Sequence, residues 1–211
     1  MSFLVDFILH FDVHLGDFIN NYGVLTYLIL FAIVFCETGL VVLPFLPGDS
    51  MLFAAGAFAA IGLLNVALLF VLLAAAAVLG DTVNYHIGKK LRHLLVEKKK
   101  ARFIKREYIE KTVAFFERHG GKTIVIARFI PVIRTFAPFV AGSAGMKYSY
   151  FIRYNLTGGL CWTALFTFGG FFFGNISWVR DNFSVILIAI IVISLVPAVV
   201  MVLAARGKRE A

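Results

Sequence analysis

The chain has 211 residues, 61% hydrophobic and only 15% charged, with a mean hydropathy of +0.90. Soluble domains carry roughly 45–50% apolar and about 25% charged residues. There is too little polar surface to clothe a water-facing globule, so a soluble enzyme or soluble binding module is excluded. The formal net charge of +8 is gathered between Lys89 and Lys122 and in Arg206, Lys208 and Arg209, where it marks cytoplasmic loops rather than a nucleic-acid surface.

In chain order, residues 1–22 place Phe3, Phe7, Phe11, Leu15 and Phe18 at helical spacing, with Asp6, Asp12 and Asp17 between them. This predicts an amphipathic helix lying at the membrane interface, not a cleavable signal peptide. Residues 23–88 form a first repeat. Within it, 24–41 reads as a span and 42–60 as a re-entrant hairpin. Leu63–Tyr85 reads as a second span that runs into Gly80-Asp81-Thr82-Val83-Asn84-Tyr85-His86-Ile87-Gly88. Residues 89–121 read as a basic cytoplasmic loop, with an amphipathic helix over 107–118. Residues 122–174 form a second repeat with a re-entrant hairpin at 123–146 and a span at 149–174. A last span covers 183–205.

Two stretches resist a single straight helix. Residues 35–60 hold Pro44 and Pro47, and 126–146 hold Pro131 and Pro138; both also carry glycines and charges. Proline removes a donor and clashes with the preceding turn. Broken backbone at membrane depth is tolerated only inside protein or along a wet cavity. Orientation argues the same way. If 123–146 crossed fully, the basic tail would lie outside, against the positive-inside tendency. Two hairpins entering from opposite sides keep both termini cytoplasmic. The resulting fold class is an all-α polytopic membrane protein with an inverted repeat. Matching interrupted segments of this kind point to a transporter's binding site.

Glu37, Asp49, Asp81, Arg128, Arg134 and Arg153 lie within or at the ends of these apolar segments. Each charge at a helix centre costs roughly 2.5–3.5 kcal/mol, so six unpaired would cost about 15–20 kcal/mol. They must pair, face water or neutralise. Internal salt bridging of Glu37 or Asp49 with Arg128 or Arg134 is one reading. Use in transport is the other, because a buried ion pair stabilises poorly compared with apolar residues of similar volume. Arg128 and Arg134 present planar, permanently charged forks suited to phosphate. On one unbroken helix they would project about 120° apart; a break at Pro131 lets them converge. Glu37, Asp49 and Asp81 are candidates for proton coupling, since burial and a nearby arginine pull a carboxylate in opposite directions. Pro47-Gly48 offers a turn that aims Asp49. Tyr85, Pro131, Pro138, Asn155 and Trp162 are candidates to line the cavity, with Asp81 and Tyr85 at i, i+4 and Asn155, Gly159 and Trp162 at i, i+4, i+7. Packing and interfacial anchoring remain the alternative for Asn155 and Trp162, and snorkelling for Arg153. The five histidines read as interface or loop residues. Cys36 and Cys161 have no metal or disulfide spacing and read as small buried apolar groups. No metal and no cofactor are expected. Walker, GxSxG and HExxH motifs do not occur, so the chain reads as a non-enzyme.

With these residues in place, FCETGLVVLPFLPGDS, GDTVNYHIG and HGGKTIVIARFIPVIRTFAPFVAG resemble the DedA family of bacterial membrane proteins over nearly the whole chain. That family shares a domain with eukaryotic proteins that scramble phospholipids. The resemblance implies two opposed re-entrant hairpins and residence in the bacterial cytoplasmic membrane. It also implies recycling of a polyprenyl-phosphate lipid carrier with dependence on the proton motive force. The family's essential acids and arginines correspond to Glu37, Asp49, Arg128 and Arg134. The leading expectation is a translocase of undecaprenyl phosphate or a related anionic lipid. The partners are the bilayer, that lipid and protons, and a homo-oligomer is left open. The alternatives are a proton-coupled antiporter of a cation or small solute, an uncoupled scramblase and a lipid-modifying enzyme.

Overall fold

The computed structural model describes residues 22–40, 48–98, 116 and 118–177. Among these every regular element is helical: α1 Val24–Gly39, α2 Gly48–Ala60, α3 Val66–Lys98, a 3-10 turn Gly120–Lys122, α4 Thr123–Ala127, α5 Pro131–Ser143 and α6 Tyr148–Gly174. The interfacial helix before Tyr22, the amphipathic segment around 107–118 apart from its last residues, Pro44, Pro47 and the 183–205 span lie outside the described residues.

Two of the described helices are long and apolar enough to cross a bilayer, Val66–Leu91 and Tyr148–Gly174. At 1.5 Å per residue each spans about 40 Å, more than the hydrocarbon thickness. Their residues are sorted for lipid rather than for water. On α6, Leu156, Leu160, Leu165, Phe172 and Phe173 are exposed, while Asn155, Trp162, Thr163 and Thr167 are fully buried. On α3, Leu68, Val71, Leu79 and Val83 are exposed, while Asp81 and Asn84 are buried. Apolar groups outside and polar groups inside is the arrangement a hydrocarbon solvent selects. Cys161 falls on the exposed face and Cys36 is half-buried, so the expected pair of buried cysteines is corrected. A thiol is apolar enough to face lipid.

Three boundaries differ from the sequence expectation. Helix α3 does not end near Tyr85 but runs on through Lys89 and Lys90 to Lys98. That stretch holds no proline and is rich in Leu and Lys, both good helix formers. Its cations also suit the negative end of the helix dipole. Helix α1 has 16 residues, about 24 Å, short of a full crossing. Gly48, expected in a turn, instead opens α2, with Asp49 in the first turn. An acid there is favoured by the helix dipole.

Local signals set the ends. Asn65 caps α3, its Oδ1 accepting from the Leu68 amide at 3.0 Å. Helix α5 ends in a six-to-one bond from Met146 N to Ala141 O (3.0 Å) and a bond from Gly145 N to Gly142 O (3.1 Å). Gly145 sits between them at φ 81°, where glycine carries no Cβ penalty. Pro131 is the first residue of α5, where an amide would have no partner within the helix and the ring's fixed φ already suits it. Ile130 before it is extended (φ −120°, ψ 104°), as a residue preceding proline must be. The 123–146 segment is therefore broken at Arg128–Ile130 and is not one straight helix. Pro138, by contrast, lies inside α5, where it denies the Arg134 carbonyl its amide partner.

The described residues fall into two compact units. One draws on 22–32, 48–73 and 163–177, the other on 33–40, 74–98, 116 and 118–162. In the first, α6 backbone lies directly on α2. A Cβ at Gly56 would strike the Thr167 carbonyl, and one at Gly170 the Phe53 carbonyl. The Tyr27 hydroxyl accepts from the Asn65 amide at 2.6 Å. In the second, Gly80 and Gly88 let two neighbours touch α3. A Cβ on Gly80 would enter Thr38 and Phe35 of α1, and one on Gly88 would enter the Phe139 backbone of α5. Around these contacts pack Tyr85, Ile124, Ala127, Ala137, Ala141 and Phe151.

Gly88→Val is expected to force α5 off α3 and destabilise the protein by about 1–3 kcal/mol. Leu160→Ala, on the exposed face, should leave thermal unfolding in detergent nearly unchanged, and the two melting curves measured side by side check this.

Candidate functional site

Four of the six charged residues predicted from sequence, Glu37, Asp81, Arg128 and Arg134, meet inside the second of these units. Arg128, in the break between α4 and α5, is 3% exposed, and Asp81 on α3 is likewise 3%. Arg128 Nη2 donates to Asp81 Oδ2 at 2.5 Å and to Asn155 Oδ1 on α6 at 2.6 Å. Asn155 in turn donates from Nδ2 to the Val78 carbonyl at 3.0 Å, which fixes which end of its amide faces the arginine. Two glycines of α6 make room for the guanidinium. A Cβ on Gly158 would lie 3.2 Å from Arg128 Cδ, and one on Gly159 would lie 3.4 Å from Nη2. Nε and Nη1 of Arg128 are buried with no hydrogen-bond partner among the described residues.

Arg134, on the second turn of α5, forms an ion pair with Glu37 of α1 at 2.9 Å. Both side chains are largely buried. The Arg134 guanidinium also lies over the Trp162 ring, 4.3 Å from its centroid, and Arg128 is 6.0 Å from the same ring. The break before Pro131 thus does what an unbroken helix would not: it brings both guanidinium groups to one indole. A cation over a desolvated indole contributes about 2 kcal/mol beyond its pairing with carboxylate.

The predicted residues separate accordingly. Glu37, Asp81, Arg128, Arg134, Asn155 and Trp162 come together, and the Asn155–Gly159–Trp162 face is the one turned to the arginines. Tyr85 is not among them. It stacks on Phe151 with ring centroids 4.5 Å apart, and its hydroxyl donates to the Met146 carbonyl at the end of α5. Sharing a helix face with Asp81 did not bring it to the guanidiniums, because one turn along α3 the neighbours are α5 and α6 core residues. Pro138 is buried within α5. Asp49 and Gly48 belong to the other unit. Arg153 is exposed, consistent with a snorkelling position. Two charge pairs, rather than the single cluster of acids and arginines expected, form the centre of the site. Residue type and spacing alone do not predict the pairing of Asp81 with Arg128. Asn84 stood in the polar run of α3 without an assigned role. It is fully buried and donates to Thr38 O at 3.1 Å and Thr135 O at 2.9 Å. A polar amide four residues from a glycine on either side was the available signal. Among the described residues no group of three or more His, Cys, Asp or Glu is placed to hold a metal.

Asp81→Asn leaves the Arg128 charge buried without its counter-ion and is expected to destabilise by about 3–5 kcal/mol, whereas an Asp81→Leu/Arg128→Met double variant should recover much of that loss. Thermal unfolding of the purified variants measures the difference; a double variant no better than Asp81→Asn would show that the pair is not an isolated electrostatic unit.

Comparison with known proteins matches residues 46–172 to the VTT domain. The chain is 52% identical over 211 residues to Protein DedA of Escherichia coli (strain K12), covering 99% of this chain and 95% of that protein. It is 41% identical over 168 residues to an uncharacterized membrane protein of Mycobacterium leprae (80% of this chain, 75% of that one). It is 34% identical over 149 residues to the inner membrane protein YqjA of Escherichia coli (71% of this chain, 68% of that one). No solved structure matches. Together with the buried charges on apolar helices, this coverage means that the chain belongs to the DedA family of VTT-domain membrane proteins.

Proposed function

We propose that this protein is a proton-motive-force-dependent translocase of undecaprenyl phosphate or a related anionic lipid in the bacterial cytoplasmic membrane. The observation that carries the reading is the Glu37–Arg134 ion pair, 2.9 Å apart and stacked on Trp162 within an apolar helical unit. Such a pair ties proton uptake to anion binding. When Glu37 takes a proton, Arg134 loses its counter-anion and must be given another, because an uncompensated buried guanidinium is costly. A phosphate headgroup supplies two or more oxygens in the geometry a guanidinium fork recognises. Release of the proton on the low-proton side restores the carboxylate, which displaces the phosphate. Proton and lipid phosphate therefore move in the same direction.

Within this reading Arg128 is the second phosphate ligand, Asp81 and Asp49 are further proton-coupling acids, and Asn155, Trp162 and the prolines shape the cavity. The chain crosses the membrane several times as an inverted repeat with opposed re-entrant hairpins at 42–60 and 123–146 and with cytoplasmic termini. The observed break at Arg128–Ile130 supports the second hairpin. The name of the relative YqjA, an inner membrane protein, supports the location.

The test is translocation of polyprenyl phosphate across vesicles containing the purified protein, with and without an imposed proton gradient. The gradient should accelerate crossing. Arg134→Ala and Arg128→Ala should each slow it by about 10–100-fold, the worth of a charge-assisted bond of about 1.5–3 kcal/mol. Crossing that ignores the gradient would point to an uncoupled scramblase, and binding of a cation without any lipid crossing would point to an antiporter.

A further inference from the structure

Helix α3 presents Gly80, Asn84 and Gly88 at successive four-residue steps, so the three share one face. The glycines admit backbone from two different neighbours, α1 at Gly80 and α5 at Gly88. Asn84 lies between them, and its amide nitrogen spends both hydrogens on those same two helices. One goes to the carbonyl of Thr38 on α1 at 3.1 Å, the other to the carbonyl of Thr135 on α5 at 2.9 Å. Each acceptor is the residue immediately after a member of the ion pair, Glu37 on α1 and Arg134 on α5.

We infer that Asn84 is the positioning residue of the Glu37–Arg134 pair, a clasp whose single nitrogen sets the separation of the two backbones that carry the charges. The side chain touches neither charged group; it acts through the peptide units next to them. Helix pairs in lipid are held by small-residue packing and by interhelical hydrogen bonds of this kind. The amide is used asymmetrically. Asn84 Oδ1 is fully buried with no hydrogen-bond partner among the described residues. A buried acceptor left unsatisfied is costly. A residue kept only as packing would be a smaller or apolar one, so the position is occupied for its two donors. Leucine, with the same branching and number of side-chain heavy atoms, has neither donor. Aspartate has an oxygen where the nitrogen stands, facing two carbonyls.

The positioning role itself needs no cargo; only its consequence for transport rests on the function proposed above. Full-length protein carrying Asn84→Leu, Glu37→Gln or both is compared by thermal unfolding. If the clasp works through the ion pair, the melting loss from Asn84→Leu falls to less than half once Glu37 is already glutamine. Equal loss in both backgrounds would reduce Asn84 to ordinary helix glue and overturn the inference. Should Asn84→Leu not fold, Asn84→Ser is read by fluorescence instead. Trp162 and Trp178 are the two tryptophans of the chain, so Trp178→Phe leaves Trp162 as the only emitter, beneath Arg134. Asn84→Ser should then shift its emission, and the shift should vanish in an Arg134→Met background. An unchanged spectrum overturns the inference. In vesicles containing polyprenyl phosphate, Asn84→Ser should slow crossing about tenfold at equal folded protein. Absence of crossing by the unsubstituted protein would count against the transporter reading, while the melting and emission results would still decide the role of Asn84.

Discussion

Holding two guanidinium groups away from water inside an apolar bundle is the constraint from which the rest follows. Arginine does not shed its proton at any accessible pH, so the charge cannot be discharged and must be matched. Each arginine is matched by a carboxylate from a different helix: Asp81 of α3 for Arg128, Glu37 of α1 for Arg134. Those partners come from far along the sequence, and the helices carrying them must approach closely. This explains why α3 turns glycine toward α1 and α5, and why α6 runs Gly158-Gly159 past Arg128. The glycines are the geometric cost of the charges. Without them the backbones stand off and a carboxylate cannot reach.

The same constraint accounts for the interruption in the 123–146 segment. Two arginines six residues apart on a continuous helix point to different sides. Three residues of non-helical chain ahead of Pro131 re-aim the second half, and both guanidinium groups then reach Trp162. Proline here acts as a start signal for α5 rather than as a kink within it. Pro138, seven residues later, is carried inside the helix. The turn it loosens is the one whose Thr135 carbonyl takes a bond from Asn84, so the weakened ladder is met by a side chain from α3.

Much of this was legible in the sequence because hydropathy and charge are stark. The apolar character of α3 and α6, the break near Pro131, the convergence of Arg128 with Arg134, and the face formed by Asn155, Gly159 and Trp162 all follow from residue types and spacing. What could not be read was pairing. Which acid meets which arginine depends on contacts such as Gly39 against Gly80, where a Cβ would sit 3.3 Å from the facing Cα. No one-dimensional pattern encodes the partner of a glycine. The same ignorance sent Tyr85 to the site when it belongs to the core beside Phe151, and passed over Asn84. The end of α3 was misplaced for another reason. Charge alone predicts a loop for the lysines after Gly88, yet charge ends the membrane and not the helix.

Trp162 resolves a difficulty that any switchable ion pair raises. A carboxylate that gains a proton lets go of its arginine, and a long flexible side chain released in this way would lose its place. The indole face attracts the guanidinium through its quadrupole, independently of the protonation of Glu37. Under the proposed coupling, Arg134 is thereby kept where it is while its counter-anion changes identity. Phenylalanine offers a weaker face, and an aliphatic residue offers none. In that proposal the fixed partner is the aromatic ring, the permanent charge is the arginine, and the carboxylate is the charge that changes. Under the proposed function, three residues on α6, α5 and α1 would divide among them a seat, a cation and a counter-charge.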